Sequence, residues 1–585
     1  MPWIPNTQIA AAGSGDGVPQ YELSVSASVG ATSITVTPTP ATPLAVSYYI
    51  LIDAWTSQAE IRKVAAVAGA LVSFSGGLDY AHASGDQILV IDTGVLTTAH
   101  WGCKADNSTD DHTALQEAVY QCAVNGTGMW LDGQNKQWHR ITQPLMVGSG
   151  TKLRQCTINA AATFAPAESN NAMVMSWNGN VRTFTADPAT DIITCSSAHG
   201  APGDNQGVVL QATTMPGGLT AGKFYYIRDR SGADFKVSDT SGGAAVDITS
   251  AGSGGRAFFE VYAANAKTTF DDVYINNGGL VSGLNGLLMS VQQQGQAIKL
   301  RIDNMDGFGL KLKGQQYVMY NFEAIGCEIG LVLDDMSFLY CFGFNIERAL
   351  NGIVVETASE SCLFSGMHFE MNAGSGYSTA ASIAVFLDAG SQNFTIENVS
   401  NSMGTSGQTF LKVDTGGAGS SSYSIRNARW SGGISSAGQL FVNDVDRGVD
   451  LDQFTDCAHI LQFVEAPVLS SSQSFDDPAP MVIIGAADRR IYLGASNNDQ
   501  AQLRIRPGNA QTGSQFQADD ASGIRVSGFN KDGVFFTERN SAPADGDLVA
   551  GEMTFWFDDT NGAAKLMIKA KQADGTVRTG NVALA

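Results

Sequence analysis

Between residues 296 and 457 one phrase of sequence returns at a nearly fixed interval. It reads Phe308-Gly309-Leu310-Lys311-Leu312, then Ile329-Gly330-Leu331-Val332-Leu333, then Asn351-Gly352-Ile353-Val354-Val355, with glycines 21 and 22 residues apart. Further copies with longer turns stand at 383–388, 410–414 and 440–444. Each copy is followed by a second strand-like phrase and an Asn or Gly turn, as in Tyr320-Asn321-Phe322-Glu323-Ala324, Phe344-Asn345-Ile346-Glu347-Arg348 and Met367-His368-Phe369-Glu370-Met371. A unit this short cannot bury its apolar side chains alone, so copies must stack on one another. Two or three strands in about 22 residues make one turn of a β-solenoid, because a propeller blade needs about twice that length. A leucine-rich horseshoe needs a Leu/Asn ladder that this sequence lacks.

Composition narrows the partners. Charged residues are only 15% of the chain, and 56 acids against 34 bases leave a net charge of −22 with a pI near 4.6. Such a surface repels phosphate backbones and anionic lipid, so neither nucleic acid nor a membrane is expected as a partner. No apolar run reaches the ~20 residues of a spanning helix. The opening Met1-Pro2-Trp3-Ile4-Pro5-Asn6 has no basic start and no apolar core, so synthesis in the cytoplasm without a cleaved signal is expected. The eight cysteines, Cys103, Cys122, Cys156, Cys195, Cys327, Cys341, Cys362 and Cys457, form no Cys-x-x-Cys pair and read as small apolar core residues. The seven histidines include no pair three to five apart, so local spacing predicts no metal site.

With 585 residues the chain is long enough for several units. Residues 1–19 are rich in Gly, Ala and Pro and read as an arm. Residues 20–95 carry short alternating strands broken by prolines, which predicts a small β module. A helix is expected near 109–124, from Leu115, Ala118, Val119 and Cys122 at helical spacing. Ser108-Thr109-Asp110-Asp111 would supply its N-cap hydroxyl and first-turn carboxylates. The solenoid would span 96–468, interrupted at 181–260 by a self-contained hairpin pattern that reads as an inserted β lobe. Beyond 469 the period is lost, and 469–585 reads as a separate C-terminal β domain that would trimerise or contact a receptor.

The run Trp101-Gly102-Cys103-Lys104-Ala105-Asp106-Asn107-Ser108-Thr109-Asp110-Asp111, the helix after it and Gly128-Met129-Trp130-Leu131 resemble the start of the pectate-lyase-like β-helix found in many bacteriophage tailspikes. In that family the acidic turn and helix close the end of the solenoid. Ala105 and Asn107 stand where that family usually has glycine. The 24–92 segment and the insertion, with Ala198-His199-Gly200 and Leu219-Thr220-Ala221-Gly222-Lys223-Phe224, look like modules of phage tail proteins, and 544–571 is similar to their C-termini. The resemblance implies an all-β chain: a right-handed parallel β-helix with small β modules at both ends and one inserted β domain. It also implies a homotrimer on a virion, docked through its N-terminal region on other tail or baseplate proteins, that binds host surface polysaccharide. Whether it depolymerises that polysaccharide stays open, beside a purely structural tail fibre and a free lyase or glycoside hydrolase.

In a parallel solenoid equivalent side chains stack at roughly 4.8 Å, so carboxylates on successive turns come within reach of one another. Glu323, Glu347 and Glu370 occupy similar phrases and are the candidate catalytic residues, one turn apart near the ~5–5.5 Å of a retaining pair and two turns apart near the ~6.5–9.5 Å of an inverting pair. A glutamate ending a strand also commonly just bonds turn amides. Asp303, Asp306, Asp334, Asp335, Asp388 and Glu397 are weaker carboxylate candidates. Sugar stacking needs exposed rings, for which Tyr317, Phe338, Tyr340 and Trp430 are candidates. The turn Asp558-Asp559-Thr560-Asn561-Gly562 lacks the later Glu of a calcium loop, so neither metal nor cofactor is expected.

Overall fold

The computed structural model describes residues 20–38, 48–91, 95–124, 129–164, 172–176, 181–196, 203–259, 268–291, 294–356, 359–371, 376–379, 382–387 and 392–401. Beyond these it describes the segments 409–413, 423–430, 439–442, 449–455, 460–463, 482–485, 516–519, 525–529, 535–537, 553–558 and 565–583. The fold is all-β, with one α-helix, His112–Val124, among the described residues. One extended sheet system runs from Val95–Thr97 to Val482–Gly485, and its pairings are parallel. Phe308 pairs with Ile329, Tyr317 with Leu339 and Phe344 with Met367, so these coils, 21 to 23 residues apart, lie in register, and longer ones of 29 to 32 residues follow. Alternation then sends one set of side chains inward at every level. Leu310, Leu331, Ile353 and Val385 form one column, and Phe322, Phe344, Met367 and Val399 another. Phe322 and Phe344 meet at 5.0 Å between ring centres.

The coil turns at a single residue with left-handed backbone. Gln155, Asp272, Lys299, Asn321, Gly343, Gly366 and Asn398 stack at this corner with φ of 46°, 59°, 52°, 54°, 69°, 72° and 55°. A side chain there costs about 1–2 kcal/mol, which glycine avoids. At Gly343 a Cβ would also lie 2.6 Å from Asn321 Oδ1. Ala105 and Asn107, where glycine was the familiar residue, are likewise left-handed at 51° and 57°.

The helix packs Leu115, Ala118, Val119 and Cys122 onto the core of the stack. Its start differs from expectation. Ser108 and Thr109 lie in the strand Asp106–Asp110, which pairs with Trp138–Ile141, and the first turn holds no acid. Asp111 spends its carboxylate on the N–H groups of Lys104 and Ala105, at 2.7 and 2.8 Å, while Asp110 accepts from His112 N at 3.1 Å. The acidic turn therefore folds back on itself and leaves the helix to begin at His112. The seven cysteines among the described residues are buried and unpaired, and burial pushes the Cys195, Cys327 and Cys362 thiols up to about 12.

Two closed antiparallel barrels accompany the stack. The first consists of Gln20–Leu23, Ser33–Thr37, Tyr49–Ile52, Glu60–Ala68, Leu71–Phe74 and Gln87–Ile91. The second consists of Arg182–Asp187, Ile192–Cys195, Gly207–Thr214, Phe224–Ser231, Asp234–Ser238 and Ser253–Phe259, whose strands pair with one another and with no strand of the stack among the described residues. Val209, Phe224 and Phe258 of the second barrel pack against Met146, Met175, Phe308 and Val332 of the stack. A separate unit, Tyr492–Ala585, holds two three-stranded antiparallel sheets, Phe516–Asp519 with Arg525–Phe529 and Phe535–Thr537, and Met553–Asp558 with Lys565–Lys571 and Val577–Ala583. The strand Val482–Gly485, placed by sequence in the C-terminal domain, pairs in parallel with Ile460–Phe463, so the stack continues past residue 468.

A buried carboxylate ties three parts together. Glu117 on the helix accepts from Tyr80 Oη of the first barrel at 2.9 Å and from Arg256 Nη1 of the second at 2.6 Å. Gln121 donates to Glu117 at 2.7 Å and accepts from Ile61 N at 3.0 Å. Burial pushes the Glu117 carboxyl upward, against the pull of Arg256. Removing one partner of such a pair strands a charge, at a cost of about 3–5 kcal/mol. Arg256→Met is expected to lower the denaturation midpoint accordingly, and adding Glu117→Gln to recover part of the loss; calorimetry showing equal losses for the single and double variants would refute this. At the corner, Lys299→Gly is expected to raise the midpoint by the equivalent of about 0.5–1 kcal/mol and Gly343→Ala to lower it by about 1–2 kcal/mol.

A candidate ligand-binding face along the stack

The strands that follow the left-handed corner turn one face outward, and pairing puts its residues into two rows along the stack. The first row is Trp138, Thr157, Tyr274, Arg301, Glu323, Asn345 and His368. The second, two residues on, is Arg140, Asn159, Asn276, Asp303, Ile325, Glu347 and Glu370. Inward neighbours Phe322, Ala324, Phe344 and Ile346 are buried, which fixes the outward direction of the residues between them.

At the centre Arg301 grips Asp303 with two bonds, Nη2 to Oδ2 at 2.7 Å and Nε to Oδ1 at 3.1 Å. Tyr274 Oη donates to the same carboxylate at 2.8 Å, and the guanidinium lies 5.2 Å from the Tyr274 ring centre. Trp138, 39% exposed, meets Tyr274 edge-on at 5.9 Å and 77°. Arg301 Nη1 is 3.6 Å from Glu323 Oε2. Further along, Asn345 Nδ2 donates to Glu347 Oε1 at 2.9 Å, and His368 Nε2 stands 3.9 Å from Glu370 Oε2. Burial and the bond to Asp303 push the Tyr274 phenol up, and Asp303 holds the Arg301 guanidinium in its charged form. The face thus carries fixed charged donors and acceptors beside two aromatic rings, the mixture that binds hydroxyl-rich ligands.

The three predicted glutamates do not form one ladder. Glu347 and Glu370 are paired in register, but Glu323 pairs with Asn345. The corner explains this: Glu347 and Glu370 are each four residues past Gly343 and Gly366, whereas Glu323 is two past Asn321. Tyr317 is a core residue, fully buried, with a hydroxyl that has no hydrogen-bond partner and a phenol pushed up by burial, so it cannot stack on a sugar. Phe338 and Tyr340 are 41% and 40% exposed on the neighbouring sheet, across the corner. The side chain of Trp430, Asp388 and the 559–562 turn lie outside the described residues.

Sequence reasoning missed Trp138, Tyr274 and Arg301 on the polar face. It also missed Tyr320 and Phe342 beside Phe338 and Tyr340, stacked on each other at 5.5 Å and 18°. Counting alternate residues from the corner would have found them all. Of the weaker carboxylates, Asp303 sits at the centre of the face. Asp334 lies 3.4 and 3.5 Å from the amines of Lys311 and Lys313, and Asp335 is a left-handed corner. Asp306 accepts from Tyr377 Oη and from Gly283 N. Glu397 lies in a strand of the neighbouring sheet, opposite Ser365 and Arg426.

No protein-family model and no curated protein matches the chain. Among solved structures it is similar to the tailspike protein gp49 from Pseudomonas phage LKA1, at 10% identity over 67% of this chain and 83% of that one, with a TM-score of 0.28. It is similar to a tailspike protein of E. coli bacteriophage HK620 in complex with a pentasaccharide, at 9% identity over 67% and 65% of the two chains and a TM-score of 0.36. It is also similar to tailspike protein 2 from the Escherichia coli O157:H7 bacteriophage CAB120, at 10% identity over 93% and 70%, with a TM-score of 0.27.

Proposed function

We propose that this chain is a virion spike that binds a host cell-surface polysaccharide along the two-row face, on a stack that is a right-handed parallel β-helix. The observation that carries the reading is the pairing itself. It sets one polar or aromatic group per coil along a line, at the roughly 4.8 Å parallel-strand spacing, and a linear polymer can follow such a line. The guanidinium of Arg301, the amide of Asn345 and the carboxylates match sugar hydroxyls in both directions, and Trp138 and Tyr274 supply rings. The net charge of −22 argues against a polyanionic nucleic acid in the same place. Docking on other tail or baseplate proteins falls to the N-terminal region.

Cleavage of the bound polymer is the finer proposal, and it falls on Glu347 and Glu370, one coil apart in register. An acid–base group typically contributes ~10²–10⁴-fold, and a Gln in its place keeps the shape while removing the charge. Purified protein should bind a bacterial capsule or lipopolysaccharide from a panel and shorten its chains. Trp138→Ala should weaken binding at least about tenfold, and Glu347→Gln and Glu370→Gln should slow shortening by ~10²–10⁴-fold, far more than they weaken binding, with melting unchanged. Gln variants that cleave normally would move the chemistry elsewhere, and a wild-type protein that binds no polysaccharide would end the reading.

The second surface, Tyr320, Phe338, Tyr340 and Phe342, is apolar and exposed, the composition of a protein contact, and we assign it to the meeting of three copies of the chain. Sedimentation at micromolar protein should show a trimer, and Tyr340→Glu with Phe342→Glu should dissociate it. A monomeric wild type would refute the assignment. A trimer that survives the double substitution but loses glycan would give the patch to the ligand instead.

A further inference from the structure

The first barrel contains a cluster that the ligand-binding face does not use. Asp53 follows the strand Tyr49–Ile52, and Glu60 opens Glu60–Ala68. His82 lies in the connection after Leu71–Phe74, and Asp86 directly precedes Gln87–Ile91. Glu60 is fully buried and saturated: it accepts the N–H groups of Asp79 and Tyr80, each at 2.8 Å, and binds the guanidinium of Arg62. His82 Nε2 lies 2.7 Å from Glu60 Oε1. With Glu60 Oε1 against Nε2, Nδ1 is the ring nitrogen left to face the rest of the cluster.

Nδ1 is buried and has no hydrogen-bond partner. It faces Asp53 Oδ2 at 3.8 Å and Asp86 Oδ2 at 3.6 Å, and the three atoms lie within 4.8 Å of one another. A buried, unpartnered ring nitrogen and two carboxylate oxygens thus converge on one point, the donor set of a cation site. A tetrahedral zinc ion with bonds of about 2.0–2.1 Å places its donors roughly 3.3–3.4 Å apart, so the two distances from Nδ1 need to close by only a few tenths of an ångström. Two carboxylates and a neutral imidazole match a divalent charge. The side chains of Asp53 and Asp86 are 17% and 22% exposed, which leaves the fourth position open to water. Thr56 Oγ1 and Ala83 N, each donating at 2.8 Å, hold the two carboxylates in place.

We propose that Asp53, His82 and Asp86 form a binding site for a divalent metal ion of the zinc class, with Glu60 orienting the imidazole from behind. The imidazole ligand separates this site from calcium and magnesium sites, which are built from oxygen. The ion would pin the connection carrying His82 to the corner after the third strand. Sequence spacing hid the site because its ligands come from two turns 29 residues apart along the chain and the histidine acts alone.

The test uses the full chain, stripped with chelator, dialysed, and titrated with zinc chloride or calcium chloride in calorimetry. One zinc per chain with a dissociation constant of about 1 μM or below is expected, with a rise in melting temperature that calcium does not give. Cobalt(II) should show the strong visible bands of a tetrahedral site. Asp53→Asn with Asp86→Asn preserves shape and should weaken zinc binding by more than about 100-fold and abolish those bands, with circular dichroism unchanged. The single variants serve where the double one does not fold. Absence of stoichiometric zinc binding, full binding in a folded variant, or stabilisation by calcium alone would each overturn the proposal.

Discussion

Register between successive coils is the constraint on which the rest of this structure depends. Parallel pairing at every level means that a residue's place is set by its distance from the left-handed corner that runs from Gln155 to Asn398. An even or odd count from that corner decides whether a side chain enters the core or faces solvent, and a slip of one residue would exchange the two sets. The corner is therefore kept even where the residue suits it poorly, as at Lys299 and Gln155, because relaxing one level would unseat both neighbours. The aromatic column of Phe322 and Phe344 and the polar rows beyond it are two results of one count.

A stack of parallel coils leaves open ends and long flanks, and an uncovered sheet edge invites pairing with other chains. At the N-terminal end the helix His112–Val124 lays Leu115, Val119 and Cys122 over the first coils, and Trp101 is buried beside it with Nε1 donating to Ala59 of the first barrel at 2.9 Å. The cap thus belongs as much to the barrel as to the stack. Glu117 completes the junction by bonding both barrels at once. The second barrel sits on the flank through apolar contacts, with Arg256 as its one buried ionic link to the helix.

Much of this was legible in the sequence because it follows from local pattern. The 21- and 22-residue spacing of Gly309, Gly330 and Gly352 marks the coils, and Leu115 to Cys122 marks the helix. The parts that stayed hidden depend on counting through turns. Glu323 looks equivalent to Glu347 because both follow an apolar residue after an asparagine, yet Asn321 is the corner itself and Asn345 lies two residues past it. Tyr317 reads like Tyr340, but it falls on the inward beat. The Asp53, His82 and Asp86 cluster is assembled by barrel closure, which no periodicity announces. The stretch 482–485 was read as part of the C-terminal domain, although it pairs with 460–463 at a 22-residue spacing.

Burial separates the carboxylates that hold this protein together from those available to a ligand. A carboxylate out of water needs its lone pairs answered, and Glu60, Glu117 and Asp111 are answered by backbone N–H groups, guanidinium or amide. Groups so enclosed cannot turn toward a substrate without stranding their partners. Glu323, Glu347 and Glu370 are half-exposed on the outer face, with Arg301 3.6 Å from Glu323 and Asn345 and His368 beside the other two. Exposed carboxylates of this kind exchange water for ligand hydroxyls at little cost. Arg301 lies between the two kinds, locked to Asp303 at one edge and near Glu323 at the other. It can therefore hold a fixed planar donor on the face while lying between the acidic groups of the two rows.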